Sequence, residues 1–361
     1  MKTPLLLAAL LAGAIGTSDM AAAESKSALQ SAAAAVVAEG HGPEAPLPAL
    51  KDALGWINSP PLAAGDLRAK VVLVDFWTYS CINWMRTLAY LRTWADKYKS
   101  QGLVVVGVHT PEFEFEKDVD LVRRFTQKMN VNYPVAIDSN YAIWNAFDNQ
   151  YWPALYVVDA QGRIRDHRFG EGGYDELEGV IRRLLVEAGA KDLGSESPVD
   201  GRGVEAAADW RNLKSPETYV GYARAENFAS PGGAASDQRH DYAIPSRLRA
   251  NQWALAGSWT VMGQFAASDG PGSKLAYRFH ARDLHLVMGS AKASMPVRFR
   301  VRIDGHAPGA DHGSDVDEQG IGTIAEPRLY QLVRQHKPIE DRQFEIEFLD
   351  PGAQVFSFTF G

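Results

Sequence analysis

Cys81 is the only cysteine among 361 residues, and the residues around it have the types and spacing for thiol chemistry. Residues 71–86 (VVLVDFWTYSCINWMR) read as a buried strand, a short turn and a helix start, with Cys81 at the turn. Unpaired backbone N–H groups and the macrodipole at a helix N-terminus favour a thiolate, so this position predicts an activated thiol. Asp75 sits on the strand before it; a buried carboxyl titrates high and could exchange a proton with the thiol. Trp84 stands where a second cysteine would complete C-x-x-C. A lone thiol can attack a disulfide or be oxidised to a sulfenic acid, but it cannot resolve itself. Turnover then needs an external thiol. A small core residue with no redox role is the alternative for Cys81.

Residues 71–77 form a continuous β-branched run, as in a strand buried on both faces. Residues 82–99 carry Trp84, Leu88, Leu91, Trp94 and Tyr98 at helical spacing. A second strand is predicted over 103–108, a helix over 118–129, a hairpin of strands 154–158 and 163–169, and a helix over 174–188. Strands alternating with helices imply a mixed sheet covered on both faces. If strands 71–77 and 103–108 lie parallel, His109, Thr110 and Glu112 reach the sheet edge where open α/β sheets bind ligands. His109 could tune the thiolate as an imidazolium and Glu112 could relay protons; as loop residues they could equally cap helices.

The motifs narrow this further. V-D-F-W leading into Cys81, with Trp152-Pro153 before the 154–158 strand, resembles the thioredoxin fold. W-T-Y-S-C-I-N, G-V-H-T-P-E-F, N-Q-Y-W-P-A and F-G-E-G together resemble the extracytoplasmic thioredoxin-like domain of DipZ-type cytochrome c biogenesis proteins, within the redoxin group of alkyl hydroperoxide reductase and thiol-specific antioxidant proteins. The resemblance implies a cis-proline at Pro153, with Trp152 before it, facing Cys81 and pairing with a docked peptide. It also implies Asp75 as the buried acid. Thr78 stands where peroxiredoxins place their threonine, although Val74 replaces the proline expected before it. P-E-T-Y-V-G-Y-A-R, R-L-Y-Q-L-V and F-S-F-T-F-G extend the resemblance into the β-sandwich that follows this domain in the family. No counterpart of the family's membrane-spanning half is expected here.

Residues 191–209 are polar and aperiodic and read as a linker. Beyond them the period becomes two, in Leu275-Tyr277-Phe279, Val297-Phe299-Val301-Ile303, Phe344-Ile346-Phe348 and Phe356-Phe358-Phe360. Short alternating strands with almost no helix indicate an all-β sandwich, here similar to the jelly roll of carbohydrate-binding modules. Arg298, Arg300 and Arg302 predict a solvated polar ladder facing Glu345 and Glu347. Trp210, Trp253 and Trp259 could fill the core or form a glycan-stacking platform. Asp311, Asp315, Asp317 and Glu318 crowd one segment, read as a solvated loop without calcium-loop spacing.

Composition sets the outer limits. A net charge of -7 gives no reason to expect nucleic acid or an anionic membrane as partner. One cysteine and histidines without ligand spacing make a metal site improbable, and no cofactor motif is present. Lys2, an apolar run over 4–15 and Ala21-Ala22-Ala23 read as a cleavable export signal, too short to span a bilayer. The expected organisation is a signal peptide over 1–23, a flexible extension over 24–55 with a short helix at 27–38, a thioredoxin-like α/β domain over 56–190, a linker over 191–209 and a β-sandwich over 210–361. The expected protein is periplasmic or secreted. It is either a one-cysteine thiol oxidoreductase with antioxidant or disulfide-exchange activity, meeting a peroxide or client peptide and an external thiol or thioredoxin-type reductant, or a redox-inactive scaffold using the surface beside Trp84 for a client and the sandwich for a glycan.

Overall fold

The computed structural model describes residues 47–48, 50–196, 198–292, 295–336 and 338–361. The expected signal peptide and the helix at 27–38 lie outside the described residues. In the first domain the strands are β1 (Gly55–Ile57), β2 (Val71–Trp77), β3 (Leu103–His109), β4 (Val135–Ile137), β5 (Ala154–Val158) and β6 (Ile164–Phe169). Between them run helices α1 (Ile82–Tyr98), α2 (Val119–Lys128) and α3 (Ala142–Ala146), and α4 (Tyr174–Glu187) closes the unit. The six strands form one sheet in the order β1-β4-β3-β2-β5-β6. β2, β3 and β4 are parallel, and β1, β5 and β6 run antiparallel to their neighbours.

The central strand β2 is buried along its whole length because both of its faces are covered. Its alternation sends Leu73 and Trp77 toward α1 and α4, and Val72, Val74 and Phe76 toward α3. Asp75 therefore points to the α1 side. Asp118 caps α2, its carboxylate accepting from the amides of Asp120 and Leu121. Leu50, expected in a flexible extension, is buried in the same core, so this domain starts before residue 56.

The second domain is all β: β7 (Thr218–Tyr219), β8 (Arg239–Tyr242), β9 (Trp253–Val261), β10 (Ala266–Ser268), β11 (Ser273–Phe279), β12 (Asp283–Ser290), β13 (Val297–Ile303), β14 (Ile321–Ile324), β15 (Arg328–Arg334), β16 (Arg342–Phe348) and β17 (Ala353–Phe360). β9 belongs to both layers of the sandwich. Its first half pairs with β11, and its second half pairs with β8 and β10. The layers β14-β13-β16-β11 and β10-β17-β12-β15 enclose a core in which Tyr277 and Phe344 meet Phe358, and Phe299 meets Tyr330.

The two layers differ in burial. β13 and β16 alternate between buried and open residues, as a sheet with one wet face should. β12 and β17 are buried almost throughout. Their second face packs on the thioredoxin-like domain, where Val287, Leu329 and Phe356 join the core made by α1, α2 and β2. Phe356 lies 5.1 Å from Phe113 and 4.7 Å from Phe115 between ring centres. The predicted linker is tied to both domains: Glu205 pairs with Arg92 of α1 at 2.6 Å, and Arg334 of β15 donates to the Gly203 carbonyl at 2.9 Å. Among the described residues, no helix is long and apolar enough to cross a membrane.

Candidate active site

The floor of the site is Asp75. Trp84, in the first turn of α1, turns inward and stacks on Trp77 with ring centres 4.1 Å apart and planes 19° from parallel. Its indole Nε1 donates to Asp75 Oδ2 at 3.0 Å, and the Tyr133 hydroxyl donates to the same oxygen at 3.3 Å. Asp75 Oδ1 has no hydrogen-bond partner. Burial pushes the Asp75 carboxyl up to about 7, with the two hydrogen bonds pulling the other way. The expectation that Trp84 offers a docking surface is corrected here. Its side chain is fully buried, so it presents nothing to a client; it packs against Trp77 and caps the acid.

Cys81 is the N-cap residue of α1 and remains partly exposed. Its thiol donates to the Trp152 carbonyl at 3.7 Å. The amides of Trp84 and Asn83 do favour the thiolate, as a helix N-terminus predicts. They are outweighed. Burial first, then the carboxylates of Glu217 and Glu112, hold the thiol well above its ordinary value. The expectation of an activated thiol is therefore reversed, because burial and the charge of two acids outweigh what the helix end provides.

The Trp152–Pro153 peptide is cis and Pro153 is buried. Trp152 is fixed by its Nε1, which donates to the Thr110 carbonyl at 3.0 Å, and by packing on Trp144 at 4.2 Å. β2 and β3 lie parallel with Trp77 beside His109, so the ends of both strands share one edge with Cys81. His109 nonetheless faces the core. Its ring edges onto Trp77 at 4.8 Å, neither nitrogen has a partner, and burial lowers its pKa to about 3. It is a neutral imidazole at physiological pH, so the imidazolium role is corrected.

Thr78 is buried below the turn. Near it lies an acid that sequence reasoning missed. Glu116 is fully buried; its Oε1 accepts from Ser80 Oγ at 2.5 Å, and its Oε2 accepts from the amides of Glu112 and Phe113 at 2.6 and 2.9 Å. Burial and the nearby Glu112 raise it to about 7, against hydrogen bonds from Ser80 and Thr78. The E-F-E-F-E-K run held the available signal only if read as a turn of helix, where Glu116, three residues after Phe113, shares its face. Glu112 is not a free proton relay. Its Oε1 accepts from the Tyr219 hydroxyl at 2.7 Å and pairs with Arg224 at 3.0 Å, both residues of the sandwich domain.

The thiol site is thus made by both domains. Arg224 lies over the Tyr219 ring at 3.6 Å, and the Glu114 amide donates to Gln264 Oε1 at 3.1 Å. Desolvation and then Glu112 raise the carboxyl of Glu217, just before β7, to about 8, with Tyr219 and Arg224 opposing. Glu217, Tyr219 and Arg224 all lie in the P-E-T-Y-V-G-Y-A-R motif, which carried the resemblance but gave them no role, because that role depends on how the domains dock.

Elsewhere in the sandwich, Trp253 and Trp259 are fully buried and only Trp210 is exposed, so the three do not form a stacking platform. Arg300 faces Glu347 at 3.9 Å across β13 and β16, and Arg298 pairs with Asp350 at 2.9 Å. Asp315 is taken by Arg328 at 2.6 Å, and Asp317 accepts from the amides of Gln319 and Ile321. Among the described residues there is no cluster of metal-ligating side chains.

Comparison with known proteins places these features in a family. Residues 44–167 match the AhpC/TSA family, and residues 215–361 match the thioredoxin-like C-terminal domain. Protein DipZ of Mycobacterium bovis and of Mycobacterium tuberculosis is 36% identical over 317 residues, covering 87% of this chain and 42% of DipZ. The thiol-disulfide oxidoreductase YkuV of Bacillus subtilis is 32% identical over 142 residues, covering 39% of this chain and 95% of YkuV. The chain belongs to the thioredoxin-like AhpC/TSA family and shares with DipZ the C-terminal domain that follows it. It spans less than half the length of the DipZ proteins it matches.

Proposed function

We propose that this chain is an exported thiol–disulfide oxidoreductase that works through Cys81 alone and is regenerated by an external thiol or a thioredoxin-type reductant. The observation that carries the reading is the placement of the thiol. Cys81 caps the first turn of α1, stays partly open and donates to the Trp152 carbonyl at 3.7 Å. A disulfide arriving there meets both the sulfur and the backbone beside it. The relative named as a thiol-disulfide oxidoreductase, and the Lys2, 4–15 and 21–23 features of an export signal, support the class and the compartment.

The thiolate attacks one sulfur of the incoming disulfide, the S–S bond breaks, and the other half leaves as a thiolate that takes a proton from water. Cys81 is left in a mixed disulfide, which a second external thiol opens by the same exchange. Peroxide can replace the disulfide, giving water and a sulfenic acid on Cys81 that thiols reduce in two exchanges. Incubating the purified protein with 2-hydroxyethyl disulfide at pH 7 and pH 9.5 tests this. Mass spectrometry should show one adduct, faster at the higher pH, released by dithiothreitol and absent in Cys81→Ser. If no adduct forms at either pH, the reading fails.

The raised thiol favours a second reading, a scaffold that binds a client without electron transfer. That reading predicts an inert thiol together with saturable binding of a reduced client.

A further inference from the structure

Away from the thiol, the seam between the two domains holds a histidine that the function proposed for Cys81 does not use. Alternation along β12 sends Leu284, Leu286 and Met288 into the sandwich core, and Val287 into the core shared with α1, α2 and β2. His285 lies on the same side as Val287, only 1% exposed, opposite Gln331 of β15 and Thr359 of β17. Both of its ring nitrogens, and the Thr359 hydroxyl, lack a hydrogen-bond partner among the described residues. Across the seam, the buried Arg86 of α1 donates from Nη2 to the Phe360 carbonyl at 3.2 Å and pairs through Nη1 with Glu171 at 2.8 Å.

The groups around the ring leave no acceptor for a further cation. On β12 itself, Asp283 pairs with Arg334 of β15 at 2.6 Å and with Arg282 at 2.7 Å. Glu171 is taken by Arg86. Gly361, at the end of β17, exchanges backbone hydrogen bonds with Asp283 at 2.7 and 3.2 Å. An imidazolium in this seam would be a buried charge beside three guanidiniums, with both carboxylates already engaged. Burial lowers the His285 pKa to about 3; Asp283 opposes this, and Arg86, Arg334 and Arg282 add to it.

We propose that the docking of the two domains is released by acid, with His285 as the group that takes up the proton. In the docked molecule the ring stays neutral. When the domains part, the second face of β12 meets water and the imidazole returns to its ordinary value near 6.5. The open form therefore binds the proton more tightly than the docked one. Docking is at full strength above about pH 6.5 and weakens as pH falls toward 3, by about tenfold per pH unit and about a hundredfold by pH 4.5. Release also parts Glu112 from Tyr219 and Arg224, which removes the sandwich from the mouth of the thiol site. The inference does not depend on which chemistry Cys81 performs.

Small-angle X-ray scattering of the full chain from pH 8 to pH 4 tests it, with far-UV circular dichroism to tell opening from unfolding. The radius of gyration of the wild type should rise with a midpoint between pH 6 and pH 4 while the dichroism stays unchanged. His285→Gln and His285→Leu cannot take up the proton, and each should remain closed at least one pH unit lower than the wild type. A wild type that keeps its radius down to pH 4 would overturn the inference, as would neutral variants that open at the wild-type midpoint. Expansion that comes only with loss of the dichroism would count against it, because the molecule would then unfold as one unit. If both neutral variants are already open at pH 7.5, His285 serves packing alone and the inference is wrong.

Discussion

The carboxyl of Asp75 stores a pH dependence that can be read in stability. Its pKa in the fold, about 7, lies above its ordinary value near 4, so the folded state binds the proton more tightly than the unfolded chain. The sign follows: between pH 4 and 7 stability falls as pH rises, and above pH 7 the whole cost of about 4 kcal/mol is present. Glu116, also raised to about 7, acts in the same direction. Urea unfolding should therefore show the wild type less stable at pH 8 than at pH 5, and Asp75→Asn should remove about half of that loss. An unchanged pH slope in the variant would contradict the assignment. Trp84→Cys, which restores C-x-x-C in sequence, should destabilise the fold by about 4 kcal/mol in the same assay, because it empties a fully buried indole site and removes the main donor to Asp75. A variant as stable as the wild type would show that the site collapses without loss.

At the scale of elements, the thiol-bearing domain was legible because its residues meet the demands of their own periods. The unbroken run in β2 and the helical spacing of α1 placed both elements to within a residue or two, and the parallel register of β2 and β3 put His109 at the expected edge. The direction in which His109 points was not legible, since that depends on how Trp77 and Tyr79 fill the space around it. In the sandwich, β11, β13 and β16 were readable by alternation, whereas β9, β12 and β15 were missed. β12 and β15 are buried on two faces by partners distant in sequence. β9 is unusual in another respect: it changes layers at Gly257, where φ is +80° and an added Cβ would stand 3.2 Å from the Ser273 Cα. Gly257→Val should cost about 2–3 kcal/mol, from left-handed strain and from the close approach to β11. Thermal unfolding reads this directly, and a midpoint shift of less than a degree would refute the corner assignment.

For the whole molecule, the decisive feature is the shared core. Phe356 is almost fully buried and touches Phe113, Phe115 and Phe265. The domains should therefore melt in one transition. Phe356→Ala should lower stability by about 3 kcal/mol and split the calorimetric endotherm in two. A single endotherm at unchanged temperature would mean that the docking contributes little. Because Glu217 reaches the thiol only through that docking, the same variant should also lower the Cys81 pKa. Absorbance at 240 nm against pH follows the thiolate, and an unshifted curve would place the raised pKa within the first domain alone. None of this was legible beforehand: a linker rich in polar residues and glycine reads as loose, and only the ion pair of Arg92 with Glu205 and its neighbours show it laid down against both domains.

The inward turn of Trp84 has a consequence for mutational history. A tryptophan codon is a single nucleotide away from a cysteine codon, so the genetic code leaves the second thiol within easy reach. The obstacle is the stack on Trp77 and the hydrogen bond to Asp75, which make position 84 part of the core. A lineage that acquires the dithiol must first refill that space, through changes at Trp77, Tyr133 or Asp75 that bring no benefit until the cysteine arrives. The one-cysteine state is therefore kept by packing, and gaining a second thiol needs several substitutions in a favourable order.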